Sequence, residues 1–138
     1  MPGSEMSKKR AKRGPQALLS ATDSEGRYLD GARSYRLTLP KDVPVSDSWS
    51  IVLYDPQTRS MLQAPRSALP TLSSQRGAVV NEDGSTTIFF GPRPPEGASG
   101  NWIQTVPGKG WFAILRLDGA LDPWFDRWWR PGEIELIE

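Results

Sequence analysis

Thirteen glycines and thirteen prolines break the 138 residues into short runs, and inside those runs apolar residues alternate with polar ones. A period of two belongs to a strand with one buried face, whereas a helix needs apolar positions returning every three or four residues. In the run 35–39, Tyr35, Leu37 and Leu39 share one face, Arg36 and Thr38 take the other, and Pro40 stops the pattern. Over 48–54, Trp49, Ile51 and Leu53 alternate with Ser50, Val52 and Tyr54, and over 111–117, Trp111, Ala113, Leu115 and Leu117 alternate with Phe112, Ile114 and Arg116. Both runs carry apolar residues on each face and predict central strands.

The punctuation between these runs predicts the turns. Asp55-Pro56-Gln57-Thr58 places a side-chain acceptor first and a ring-fixed dihedral second, as a type I turn requires, and 59–63 follows as a short return strand. Residues 65–74 read as an irregular crossing. The runs 78–80 and 86–90 flank Asn81-Glu82-Asp83-Gly84-Ser85 and predict a hairpin closed at Gly84. A Pro/Gly-rich loop spans 91–100, 102–106 is extended, and Pro107-Gly108-Lys109-Gly110 turns the chain. Toward the end, 121–129 allows one short helical turn and 133–137 an edge strand. Seven or eight short strands with no heptads and no repeat predict an all-β fold: an antiparallel two-sheet β-sandwich of jelly-roll type with at most one or two short helical turns. The expected organisation is a disordered basic tail over 1–20 and a single sandwich domain over 21–138.

Composition removes whole classes of chemistry. With no Cys and no His, the chain has no Ser-His-Asp or Cys-His nucleophile system, no zinc site of the usual ligand types, no haem or iron–sulfur ligation and no thiol redox chemistry. Five basic residues between Lys8 and Arg13 against Glu5 give the first thirteen residues a charge of +4, leaving −3 for the remainder. The body therefore offers no broad basic face, and nucleic acid or another polyanion would have to be held by the tail alone. Ala17, Leu18, Leu19 and Ala21 are too few for the apolar core of an export signal or for a membrane-inserting segment.

The strings Thr58 to Gln63, Asn81 to Thr86, Phe90-Gly91-Pro92, Asn101-Trp102-Ile103-Gln104-Thr105, Pro107-Gly108-Lys109-Gly110-Trp111-Phe112 and Trp129-Arg130-Pro131-Gly132-Glu133 together resemble the domain of unknown function 1214 family. The resemblance begins near Thr22, with Asp23 to Gly31 similar to the family's opening segment, and runs to the C-terminus. It implies a jelly-roll-like domain of mainly bacterial proteins, which often carry an export signal to the envelope. It also implies a partner, a domain of unknown function 1254 placed before it, or else another subunit. That partner domain is missing from these 138 residues, so the chain looks like a stand-alone or truncated member. Ser48 stands where the family often has an aromatic, 117–121 reads Leu-Asp-Gly-Ala-Leu rather than Leu-Tyr-Gly-Pro-Leu, and Trp128 replaces a small residue. These departures bear on contacts with the partner. A sheet face normally covered by it would be left open, making a homo-oligomer the alternative arrangement.

Candidate binding residues are polar groups beside aromatics: Arg59, Asn101, Gln104 and Lys109 with Tyr54, Trp102 and Trp111. Such a set can line a cleft in which a planar or sugar-like ligand stacks on rings while amides orient it. The same residues can instead be structural, with Asn101 and Gln104 holding loop backbone, Lys109 tipping a turn, Arg59 paired with Asp55 or with carbonyls of the 65–74 crossing, and the tryptophans in the core. Asp118, Asp122, Asp126 and Glu133 are the acid–base candidates for a carboxylate-dependent hydrolase of glycans or small esters, which needs one of them buried and a defined separation from another. Asn81-Glu82-Asp83 lacks the later bidentate acid of a calcium loop, and Gly108-Lys109-Gly110 lacks the Lys-Ser/Thr and following helix of a phosphate loop. No metal site and no cofactor motif is read.

Overall fold

The computed structural model describes residues 15–64, 70–96 and 101–138. Among them, eight strands and one helical turn follow in the order β1 (Gln16–Ser20), β2 (Tyr35–Leu39), β3 (Val45–Tyr54), β4 (Thr71–Ser73), β5 (Thr86–Gly91), β6 (Trp102–Gln104), β7 (Phe112–Ala120), α1 (Asp122–Phe125) and β8 (Glu135–Leu136). They form two four-stranded sheets, ordered β1-β7-β3-β4 and β6-β5-β2-β8, packed as a sandwich. The expected all-β sandwich with one helical turn is the observed architecture, and β3 and β7 are central in their sheet as their two apolar faces predicted. One detail departs from the antiparallel expectation: β6 runs parallel to β5, with Phe89 opposite Trp102.

The alternation becomes the core. Trp49, Ile51 and Leu53 of β3 and Ala113, Leu115 and Leu117 of β7 are buried, as are Tyr35, Leu37 and Leu39 of β2 and Ile88 and Phe90 of β5. Burying each large side chain of this kind contributes about 1.5–3 kcal/mol relative to leaving it in water. Trp111, just before β7, packs edge-on against Tyr35 at 5.6 Å and tilted against Phe90 at 5.0 Å. The Tyr35 hydroxyl, though buried, is satisfied by the Asp30 amide, which donates to it at 2.9 Å. At the far end, the Trp129 indole donates to the carbonyls of Pro40 and Lys41 at 3.1 and 3.2 Å, tying the C-terminal segment to the β2–β3 connection.

Three expectations are corrected. Residues 16–20 are not tail: they form β1, paired residue for residue with β7 from Gln16–Leu117 to Ser20–Ala113, because backbone pairing needs no alternation and Leu18 lies opposite Leu115 at the core edge. The expected tail over 1–14 lies outside the described residues. The return strand at 59–63 shrinks to a single bridge, Tyr54 with Met61, and a Leu62 amide donating to the Leu53 carbonyl. The 78–80 arm of the predicted hairpin is not a strand. Its turn forms as expected, with Gly84 at φ +90° and the Asn81 amide donating to the Ser85 carbonyl. Yet β5 takes β2 and β6 as partners, so residues 78–80 are held by a side chain instead.

Candidate functional site

Asp55 organises the first cluster from its turn. Its Oδ1 accepts the Gln57 amide at 2.8 Å, and its carbonyl accepts the Arg59 amide at 2.7 Å, with Arg59 in the left-handed region at φ +60°. The Gln57 amide lowers the Asp55 carboxyl below the ordinary aspartate value, burial opposes this, and the Lys109 ammonium at 3.3 Å reinforces it. Lys109, not Arg59, is thus the ion-pair partner of Asp55 among the described residues. The Pro107-Gly108 turn positions it: the Lys109 amide donates to the Val106 carbonyl at 3.0 Å across that turn, with Gly108 at φ +87° in the position a type II turn reserves for glycine. The turn swings Lys109 toward β3's end.

Beside this pair lies a groove of about 410 Å³, lined by Tyr28, Pro56, Gln57, Lys109, Trp111 and Phe112 among others. Lys109 and Trp111 are the two candidates that the structure brings together there. Trp111 enters as the floor of the groove and the roof of the core, 2% exposed, and its indole N–H has no acceptor among the described residues. Tyr54 stands one contact away, stacked on Phe112 at 5.4 Å with ring planes 16° apart. Phe112, Tyr28 and Gln57 were not among the candidates. Phe112's place in the alternation put it on the outer face, which was the available signal.

Asn101, Trp102, Gln104 and Arg59 do not line that groove. Asn101 is buried and works as a clamp: its Oδ1 accepts the Val79 amide at 2.8 Å, and its Nδ2 donates to the Val79 carbonyl at 2.7 Å and the Thr87 carbonyl at 2.9 Å. It therefore supplies the pairing that residues 78–80 lack from a strand. The Trp102 indole donates to the Gly91 carbonyl at 3.0 Å, and the Gln104 amide nitrogen to the Pro92 carbonyl at 3.3 Å. Trp102 and Gln104 thus hold β6 against the end of β5 and the loop that follows it, whereas Asn101 holds residues 78–80 against β5.

The carboxylates at the C-terminal end are spread over several elements. Asp118 sits on β7 within 3.0 Å of Arg116, Asp122 opens α1, Asp126 closes it, and Glu133 is exposed in the segment before β8. No group of three or more metal-ligating side chains gathers among the described residues. No described helix is long and apolar enough to cross a membrane.

Two larger surface features stand outside the candidates. On the outer face of the first sheet, Leu19, Ile114 and Val52 lie side by side in register across β1, β7 and β3, next to the Tyr54–Phe112 stack. A second groove, of about 640 Å³, separates Leu18, Leu19 and Ser20 of β1 from Trp124, Phe125 and Trp129.

The fold is shared with larger proteins. The crystal structure of the VPA0106 protein from Vibrio parahaemolyticus is similar over 91% of this chain and 31% of its own, at 26% identity and a TM-score of 0.76. An uncharacterized protein from Burkholderia cenocepacia is similar over 96% of this chain and 38% of its own, at 20% identity and a TM-score of 0.53, a likeness of fold alone. The chain thus spans about a third of the length of these structures. No curated protein matches it. Residues 15–122 match the family described as protein of unknown function (DUF1214), and with most of the foldable chain covered, the protein belongs to that family.

Proposed function

We propose that this domain is a packing module whose first sheet is covered by a partner domain or subunit. The observation that carries the reading is the outer face of β1, β7 and β3. An outward row of Leu19, Ile114 and Val52 beside a stacked Tyr54–Phe112 pair is apolar surface turned away from the core. Surfaces of this kind on a soluble domain mark interaction sites. The similar structures supply the size of what would cover it, since each is about three times as long as the matched region. By resemblance, a domain of unknown function 1254 is the expected partner.

The test is a pair of substitutions read by tryptophan-fluorescence unfolding. Ile114→Thr keeps a β-branched residue on the outer face and is expected to cost less than about 1 kcal/mol. Ile88→Ala, at a fully buried position, is expected to cost about 2–5 kcal/mol. A cost for Ile114→Thr equal to that of Ile88→Ala would place the row in the core and end the packing reading.

A second reading rests on the groove beside Lys109. Its walls are largely apolar, its one ammonium is partly neutralised by Asp55, and Trp111 closes its floor. That combination suits a small planar ligand that stacks on rings and offers an acceptor to Lys109. Melting the protein against aromatic acids, sugars and nucleotides checks it: a ligand of the folded state raises the midpoint with concentration, and Lys109→Ala abolishes the rise. A panel that moves nothing leaves the packing reading alone.

A further inference from the structure

The groove beside the Asp55–Lys109 pair is built from segments around Tyr28, Asp55 and Lys109 that backbone hydrogen bonds tie down. The turn at Asp55 is closed by its amide donating to the Ser60 carbonyl at 2.9 Å and by the Arg59 amide donating to the Asp55 carbonyl at 2.7 Å. Lys109 is fixed from two sides: its amide donates to Val106 at 3.0 Å, its carbonyl accepts the Gly31 amide at 2.9 Å, and next to it Gly110 bridges to Asp30. Both charges are thus in place before a ligand arrives, which lowers the ordering cost of binding. The Asp55 side chain is only 10% exposed, and the Gln57 amide that lowers its carboxyl keeps it charged at neutral pH. Its Oδ2 accepts the Lys109 ammonium at 3.3 Å, longer than the about 2.7–2.9 Å of a tight charge-assisted bond, so a lone pair stays open to a second donor. Lys109, 52% exposed, uses one ammonium proton on Asp55 and has the others to offer.

We propose that this groove takes a free aromatic α-amino acid, with its carboxylate on Lys109 and its ammonium on Asp55. The inference rests on the reading of the groove as a ligand site and narrows the ligand to a zwitterion. A ring bearing only a carboxylate satisfies Lys109 but brings its negative charge beside the Asp55 carboxylate, which lies 3.3 Å from that ammonium. A ring bearing only an ammonium meets the converse repulsion from Lys109. An α-amino acid carries both charges on one carbon, so it lies head to tail against the pair, each end opposite its counter-ion. It also adds no net charge to a partly buried site, where an unmatched charge is costly. The walls supply the preference for a ring. Tyr28 stands at the rim, 83% exposed, and Pro56 and Phe112 line the groove with it, surfaces on which an aromatic ring packs face-on or edge-on. The volume, about 410 Å³, lies within the roughly 300–1,000 Å³ of small-molecule sites.

The experiment is calorimetric titration of the full 138-residue chain with L-phenylalanine, L-tyrosine, L-tryptophan, glycine and benzoate. At least one of the aromatic amino acids is expected to bind. Its N-acetyl derivative keeps the carboxylate and loses the ammonium, and its amide keeps the ammonium and loses the carboxylate. Each is expected to bind at least about tenfold more weakly than the parent, as is glycine, a zwitterion with no ring. Lys109→Met is expected to weaken the parent by at least about tenfold. Either derivative binding as tightly as its parent, or benzoate binding where no aromatic amino acid does, overturns the zwitterion and leaves the planar-ligand reading standing. Unchanged affinity of the parent for Lys109→Met overturns the proposal as well. Glycine binding as tightly as the aromatic amino acids, or no binding by any compound, ends both readings of the groove. The derivatives are compared on the native chain, so the outcome does not depend on how Lys109→Met folds.

Discussion

Truncating Asn101 to Ala removes three hydrogen bonds at once and leaves the Val79 amide and the Val79 and Thr87 carbonyls without their side-chain partner. Leaving such groups unpaired costs about 1–3 kcal/mol apiece when they stay out of water. Partial exposure of residues 79 and 87 lets water recover part of this, so Asn101→Ala is expected to lose about 2–3 kcal/mol in a urea titration. Carboxylates supply the pH dependence. Burial raises the Asp23 carboxyl, but the amides of Arg27 and Glu25 and the Arg27 guanidinium outweigh it, and the result lies below 3.8. Asp55 is lowered by the Gln57 amide and Lys109, and Asp83 by the Ser85 hydroxyl and amide. A carboxyl lowered by folding contributes stability above its unfolded value that is lost as pH falls through its folded value. The melting midpoint is therefore expected to hold at neutral pH and to drop below about pH 4. Asp55→Asn should make that acid limb shallower, and an unchanged limb would show that Asp55 has no part in it. Much at this scale was legible: Asn101 and Gln104 as holders of loop backbone, Lys109 at a turn tip, Asp55 as a turn acceptor. The Asp55–Lys109 pair was not, because its partners lie 54 residues apart and only the folded turn brings them together.

Elements whose residues sort themselves by local alternation were readable to the residue. Strand β2 spans Tyr35–Leu39 as its pattern predicts, β3 contains its predicted run, and β7 contains all of its own but Trp111. Pairing partners were less readable, since local sequence carries no record of which distant strand lies alongside. This is why β5 took β2 and β6 in place of 78–80, and why β6 runs parallel. Strand β1 escaped notice because its apolar residues are consecutive and follow a basic segment. Glycine at position 31 marks a further tertiary contact. Its amide donates to the Lys109 carbonyl at 2.9 Å, and a Cβ there would run into the carbonyl oxygen of Val106. The segment 29–31 can dock on 106–110 only without that carbon. Gly31→Ala is expected to cost about 1–3 kcal/mol through overpacking and to weaken the groove that both segments line. A midpoint equal to the native protein's would show that the segments separate freely.

For the molecule as a whole, two sheets bury one set of rows and leave another apolar row facing out. The short alternating runs between turns predicted the two-sheet class, and the family resemblance predicted a covering partner, but the in-register meeting of Leu19, Ile114 and Val52 needed the strand order β1-β7-β3. The most direct test is hydroxyl-radical footprinting of the chain alone and mixed with the remaining two-thirds of a longer family member, prepared separately. The packing account predicts that Tyr54, Phe112 and Ile114 are oxidised in the free chain and protected in the mixture, while Arg36 and Thr38 on the opposite sheet are unchanged. Protection confined to the opposite sheet, or oxidation that the partner leaves untouched, would contradict it.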